Sequence, residues 1–316
     1  MNEKMQLLER LIPNIPIKQG IPKIIHQTYR TKHLPVELSD NIKRLKALNP
    51  DWEYRLYDDA DIDEFIVKEY GEEVFGYYKK ITPRYGAAKA DLFRYLLIYR
   101  IGGVYLDIKS SITKPLDNTL RTGDSLVLSH WDNDKGRPHE NWGHYKEIKH
   151  IEKGEYQQWH IIAAPGHPFI RSVIIKVLNN IDEYNPYRNG VGLEGTLVTT
   201  GPIAYSLVMH EQCKTKEKYR IVDGATEIGL QYSIYEKQDG AFGHKEVLNS
   251  NYNVLITPII DNGYKQGVWY RFYFKQVYFR KITFERKLRI LKREMNTSGN
   301  VIAFICSYIF NKIKKR

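Results

Sequence analysis

An α/β fold with a mostly parallel central sheet is what this chain predicts, on three observations. Short apolar runs that read as buried strands alternate with helical patterns in the order β-α-β-α-α-β over the first third of the sequence. Such alternation places helices over a parallel sheet. The stretch from Tyr85 to Lys109 then joins a helix, a Gly-Gly stop and a strand ending on a carboxylate. Finally, no repeat or low-complexity tract interrupts the pattern, and 42% hydrophobic with 27% charged residues is ordinary for a globular chain of 316 residues.

The elements follow in order. Residues 1–20 begin with a short helical pattern (Met5, Leu7, Leu8, Leu11, Ile12) broken by Pro13 and Pro16, and read as a peripheral lead-in. Lys23–Gln27 reads as the first buried strand, 39–48 as a helix ended by Asn49-Pro50, and Trp52–Tyr57 as a strand alternating Trp52, Tyr54 and Leu56 to one side. Helices are expected over 61–68 and 72–80. In the central stretch Ala87, Ala88 and Ala90 open a helix, Phe93, Leu96, Leu97 and Ile101 recur at helical spacing, and Gly102-Gly103 stops it. Val104-Tyr105-Leu106 is a short strand that delivers Asp107 at its carboxyl end, where open α/β sheets bind ligands.

Further strands are expected at 110–114, 125–129, 159–164, 219–222 and 253–256, with helices at 169–180 and 203–212. Residues 142–158, polar and weakly patterned, read as a loop or an excursion over the active face. Asp132-Asn133-Asp134 has an Asp-x-Asp spacing, but no Gly-Gly strand presents it, and it reads as a solvated turn. Asp91 and Arg94, three apart, share one helix face. They are either a solvated ion pair or, given the apolar neighbours Tyr95 and Ile98, part of a pocket wall.

The net charge of +11 is local. Residues 271–316 hold 13 Lys or Arg against two Glu, and the first 270 residues balance at 35 of each sign. A nucleic-acid binder would interleave basic residues across a folded face, so nucleic acid is not an expected partner. Seven of the twelve residues 268–279 are aromatic, a basic helix is expected at 284–295, and an apolar run spans 301–310 ahead of Lys312-Ile-Lys-Lys-Arg316. That run is too short to cross a bilayer as a helix. It suits the interface of an anionic membrane, the alternative being a helix packed on the domain. Two cysteines and an opening Met1-Asn-Glu-Lys-Met without an apolar leader point to the cytoplasm, peripheral on the inner face of the cell membrane. The expected divisions are 1–20 (lead-in), 21–267 (folded domain) and 268–316 (basic, aromatic extension).

Ala90-Asp91-x-x-Arg94-Tyr95 followed by Gly102-Gly103-Val104-Tyr105-Leu106-Asp107 resembles the sugar-nucleotide-binding signature of glycosyltransferase family 32. Ile21–Tyr29 and Asn49–Asp59 look like the first two strands of that family. The resemblance implies a GT-A-type, Rossmann-like domain and a retaining hexosyltransferase. Its donor would be a UDP- or GDP-sugar, with the leaving phosphate accepting the acceptor's proton. The acceptor would be a glycan or lipid-linked oligosaccharide, in bacterial surface (capsular, O-antigen or exopolysaccharide) synthesis. It implies catalytic roles for Asp107, Asp91 and Arg94. Donor contacts would come from His26, Gln27, Thr28, Tyr29, Tyr57, Asp58, Tyr105, Lys109, Thr200 and Gly201, besides Asp91, Arg94 and Asp107. Tyr29 is either a stacking partner for the base or one more core aromatic.

The resemblance also implies a divalent cation, Mn2+ or Mg2+, on the Asp-x-Asp motif. Here the chain departs from the family, because Asp107-Ile108-Lys109 leaves Asp107 as the one candidate metal ligand. A charged lysine is no ligand. Its charge could instead face the diphosphate, or its side chain could point away. A toxin-like protein glycosyltransferase and a catalytically inactive glycan-binding relative remain the other readings.

Overall fold

Six strands form the main sheet of the computed structural model, which describes residues 3–235, 255–263, 266–278 and 280–284. In chain order the elements are α1 (Glu3–Leu11), β1 (Ile24–Thr28), α2 (Val36–Leu48), β2 (Glu53–Tyr57), α3 (Asp59–Lys80), α4 (Gly86–Ile101) and β3 (Gly103–Leu106). There follow β4 (Ser111–Ile112), β5 (Leu126–Ser129), β6 (His160–Ala163), α5 (Pro168–Asp182), α6 (Pro186–Asn189), α7 (Gly192–Thr199), α8 (Pro202–Gln212), β7 (Arg220–Val222) and β8 (Leu230–Gln231). The sheet order is β2-β1-β3-β6-β5-β7. Only β6 runs against the others, antiparallel to β3 and β5. β4 and β8 pair separately. The mostly parallel α/β architecture expected from the sequence is the one the chain adopts.

Alternation along the strands explains why both sheet faces are covered. Tyr105, Ile161, Ala163, Leu126 and Leu128 enter one apolar cluster, packed under helices that include α3, α4, α5 and α8. Val104, Leu106, Ile162, Val127 and Ile25 point the other way, into a second cluster with Leu45 of α2. α3 is two helices in one, as the sequence suggests, with Gly71 (φ 81°, ψ 175°) at the break. Asp58 caps its start, accepting from the Ala60 and Asp61 N–H groups while the Asp61 carboxylate accepts from the Asp58 N–H. α4 differs from an ordinary surface helix. Ten of its sixteen residues are buried, among them Asp91 and Arg94, so the helix runs through the core rather than along its edge.

Several expectations are corrected here. Residues 1–20 are no peripheral lead-in: Leu8 and Ile12 are fully buried in the main apolar cluster. Arg171 of α5 donates to the Glu9 and Ile12 carbonyls, and Tyr99 of α4 donates to the Pro13 carbonyl. The apolar stripe of α1 is buried, and Pro13 merely ends the helix. Residues 142–158 are not wholly an excursion either. Glu155, Gln157 and Gln158 are each at most 7% exposed, because the segment folds back under Trp131 and feeds β6. Asp132 and Asp134 pair with Arg137 and Lys153, but Asn133 between them is buried and donates to the Trp142 and Lys153 carbonyls, so the expected solvated turn holds only for the two carboxylates. Leu255 and Ile256 form no strand, and 253–254 lie outside the described residues.

The chain divides into two compact units between Asn262 and Gly263. In the second, a helical turn (Val268–Phe272) runs into a wider π-helical turn (Tyr273–Tyr278). The basic helix and the apolar run expected at 284–295 and 301–310 lie outside the described residues, apart from Phe284. Among the described residues no helix is long and apolar enough to cross a membrane.

The turn from α4 to β3 tolerates glycine alone. Gly102 (φ 74°, ψ −169°) sits in a conformation closed to other residues, and a Cβ there would lie 2.5 Å from Pro165 Cδ. Gly102→Ala is therefore expected to destabilise the fold by about 2–4 kcal/mol, combining backbone strain with overpacking. Denaturant titration measures this, and an unchanged midpoint would contradict the assignment. A second prediction concerns Glu155, whose carboxyl burial lifts from 4.5 to about 7, against the pull of the Trp131 indole. Between these two values the folded chain holds a proton that the unfolded chain has released, so stability falls as pH rises, by about 1.4 kcal/mol per unit. Glu155→Gln removes this slope. Its stability relative to wild type should rise from pH 4.5 to pH 7 and then level off, and a pH-independent difference would refute the burial argument.

Candidate active site

The strand order reverses between β1 and β3, since β2 leaves β1 on one side and β3 returns on the other. Crevices at such points bind ligands in open α/β sheets. Thr28 and Asp107 lie at the carboxyl ends of these two strands, and the Thr28 and Tyr105 hydroxyls meet at 3.0 Å. The Asp107 N–H is fixed to the Trp159 carbonyl at 2.8 Å.

Beside Asp107 stands a buried polar network centred on Arg94. Its guanidinium forms ion pairs with Asp107 Oδ1 at 3.0 Å and Asp91 Oδ1 at 3.3 Å, and donates to the Gln158 carbonyl and Oε1 at 2.7 and 2.6 Å. The Tyr105 ring lies 4.8 Å beneath it. The Gln158 amide faces the other way, its Nε2 donating to Asp91 Oδ1 at 3.0 Å and to the Tyr95 hydroxyl at 2.8 Å. Tyr95 in turn donates to the Thr200 carbonyl, and the Thr200 hydroxyl donates to Asp91 Oδ2 at 2.8 Å. Gly201 completes the wall, since a Cβ there would sit 3.5 Å from Asp91 Oδ2 and 3.0 Å from the Thr196 carbonyl. Burial raises the Asp91 carboxyl above its usual range, opposed by Arg94 and by the hydrogen bonds from Gln158 and Thr200. Such a pair is costly to bury and costlier to break. Of the two readings open for Asp91 and Arg94, the solvated surface pair is excluded.

Lys109 does not point away. Asp107–Ser110 is a turn, closed by the Ser110 N–H on the Asp107 carbonyl at 2.8 Å. The turn returns the Lys109 ammonium to Asp107 Oδ2 at 2.8 Å, over the Tyr232 ring at 4.3 Å. Burial opposes the ammonium, yet Asp107 outweighs it and holds the Lys109 pKa above 10.5. Asp107 is thus bracketed by two cations, and its side chain, 23% exposed, is the most open of the four charged groups.

The other expected residues divide into struts and rim. His26 is fully buried, with Nε2 on the Gly102 carbonyl at 3.0 Å and Nδ1 on the Tyr57 hydroxyl at 3.2 Å. Burial lowers its pKa to about 4, so it is neutral, with Nε2 donating and Nδ1 accepting. Gln27, also fully buried, donates to the Asp107 carbonyl and accepts from Tyr54. Both act beneath the site on its backbone. Tyr29 is partly exposed and packs beside Leu38, Ile42 and Ile108. Asp58 is engaged as the cap of α3. Sequence reasoning saw Tyr95 as an apolar neighbour of the pair but missed Gln158 and His160, the latter buried and held neutral with a pKa of about 3. Only the antiparallel register of β3 on β6, pairing Leu106 with His160, brings this segment to the site.

A divalent cation finds a poor set of ligands here. Among the described residues no three His, Cys, Asp or Glu side chains gather to hold one, and Asp107 already lies between Arg94 and Lys109. The residues present do not fit the ion that the Asp-x-Asp resemblance implies.

Residues 35–126 match the family model described as the glycosyltransferase sugar-binding region containing DXD motif. Mannosyl phosphorylinositol ceramide synthase SUR1 of Saccharomyces cerevisiae is 30% identical over 241 residues, 75% of this chain and 53% of the relative. Inositol phosphoceramide mannosyltransferase 3 of Schizosaccharomyces pombe is 37% identical over 101 residues, 32% of this chain and 28% of the relative. The initiation-specific alpha-1,6-mannosyltransferase of the same yeast is 24% identical over 220 residues, 64% of this chain and 52% of the relative. The chain thus spans about half the length of the curated relatives it matches most extensively. The matched region contains Asp91, Arg94 and Asp107 in the order of the signature, and these matches support the resemblance to glycosyltransferase family 32.

Proposed function

We propose that the chain is a retaining glycosyltransferase that moves a hexosyl group, mannose by likeness to its relatives, from a nucleotide-sugar to a hydroxyl of a glycan or lipid-linked acceptor. The observation that carries this reading is Asp107, held at the carboxyl end of β3 by Arg94 and Lys109, at the switch point of the sheet. In the reaction the bond from the anomeric carbon to the diphosphate breaks and a bond to the acceptor oxygen forms. The acceptor proton passes to the leaving phosphate oxygen. The protein's part is to orient sugar and diphosphate and to stabilise the charge that develops on the leaving group. Asp107 faces the donor, and Arg94 sets its orientation. Asp91, Gln158 and Thr200 fix Arg94 in turn.

Two of the three relatives named above carry a phosphoinositol-ceramide lipid in their names, which favours an acceptor at a membrane. The bacterial surface-polysaccharide setting remains part of this proposal as one place where lipid-linked glycans are extended. The second unit supports a membrane role, since Val268, Trp269, Phe272 and Phe284 are all more than half exposed, beside Arg271 and Lys281. Aromatic and basic side chains together suit a headgroup interface.

Asp107→Asn should leave a cooperative fold yet cut donor turnover more than tenfold, a loss above about 1.4 kcal/mol. Hydrolysis of a panel of UDP- and GDP-sugars measures it. Donor binding with no turnover by the wild type would favour the inactive relative instead. For the membrane role, full-length protein should sediment with anionic vesicles and only partly release in high salt, because apolar burial resists screening. Truncation after Gly267, which removes Val268, Trp269, Phe272 and Phe284 together with the basic and apolar stretches, should abolish sedimentation with donor hydrolysis intact. Equal binding to neutral and anionic vesicles would count against it.

A further inference from the structure

We propose that the Lys109 ammonium takes the place of the divalent cation of an Asp-x-Asp site, so that this chain grips the diphosphate of its donor without a metal. The proposal rests on the glycosyltransferase reading and specifies the charge that faces the leaving group. Three observations carry it.

The first is position. The matched family region is defined by two carboxylates in the motif Asp-x-Asp, and Lys109 stands where the second would be. A carboxylate replaced by an ammonium raises the local charge by two units. That is the charge a divalent cation would bring.

The second is preorganisation. The turn that presents Lys109 is tied on every side. The Gln27 amide donates to the Asp107 carbonyl at 3.0 Å, Asn41 donates to the Ser110 carbonyl at 2.9 Å, and the Ile234 N–H donates to the Lys109 carbonyl at 2.8 Å. The side chain is 10% exposed, laid over the Tyr232 ring and anchored on Asp107. An ammonium has three donors, and among the described residues Lys109 spends one of them, on Asp107. The others are available to phosphate oxygens, in a site shielded enough for the charge to act strongly.

The third is exclusion. A cation binding Asp107 would have to displace or approach Arg94 at 3.0 Å and Lys109 at 2.8 Å from the same carboxylate. Like charges that close repel by several times the thermal energy even with strong screening. An incoming diphosphate meets the opposite situation. It draws Lys109 toward itself while Asp107 keeps Arg94, so no cation is left unpaired.

Calorimetric titration of the full-length chain with UDP and with GDP, each in a chelator and in manganese, tests this. The expected result for the wild type is an affinity for the preferred nucleotide that agrees within about twofold between the two conditions. Lys109→Asp, which recreates Asp-x-Asp, should bind that nucleotide about tenfold or more tightly in manganese than in chelator. Lys109→Met should lose about tenfold or more in both, as removal of a buried charge partner does. A wild-type affinity that collapses in chelator and returns with manganese overturns the proposal, whatever the variants do, and leaves the glycosyltransferase reading standing. No binding of either nucleotide under either condition overturns both.

Discussion

A guanidinium buried in a helix that has almost no solvent-facing side is the constraint on which the rest of the site depends. Arg94 is 4% exposed, and a charge there survives only if every donor finds an acceptor. The acceptors come from four separate places: Asp91 one turn back on α4, Asp107 beyond β3, Gln158 ahead of β6, and the Ala90 carbonyl. None of these contacts is local except those along the helix. The requirement to satisfy one cation therefore sets the distance between helix and strand, and draws the approach to β6 against both.

The same requirement explains why the polar struts are neutral. His26, His160 and Gln27 lie beneath the charged cluster, and burial leaves the two histidines uncharged. Two of them hold backbone, His26 the Gly102 carbonyl and Gln27 the Asp107 carbonyl, while His160 Nε2 meets the Ser129 hydroxyl. A further charge at any of these places would add to an already costly set. Gly102 and Gly103 allow the closeness. A Cβ at Gly103 would meet the Ile24 carbonyl at 2.6 Å, so β3 could not lie against β1 with any other residue there.

Asp107 emerges as the point where this interior reaches solvent. It carries the charge outward from a cluster that is otherwise closed, and the two cations beside it give the opening a mixed character. One carboxylate oxygen answers Arg94, which is fixed, and the other answers Lys109, whose long chain ends next to an aromatic face. The asymmetry between a planar, fully engaged guanidinium and an ammonium with donors to spare is what separates a positioning group from one able to take up a ligand.

Much of this was legible in the amino-acid sequence, because local rules decide it. Periodicity located the helices and strands, Gly102-Gly103 marked the end of α4, and the strand-end position singled out Asp107. The motif order from Ala90 to Asp107 pointed to the family. Asp91 and Arg94 could be placed on one helix face, but whether that face met water or the core depends on which elements cover α4, and spacing carries no such information. The path of Lys109 was equally undetermined, since a continued strand and a turn send the residue at i+2 to different places. Gln158 was invisible, lying 64 positions beyond Arg94 in a segment with no pattern of its own. Local propensity specifies the elements and their ends. The partners of a buried charge are chosen by strand register and helix packing, which exist only when the whole chain has closed around it.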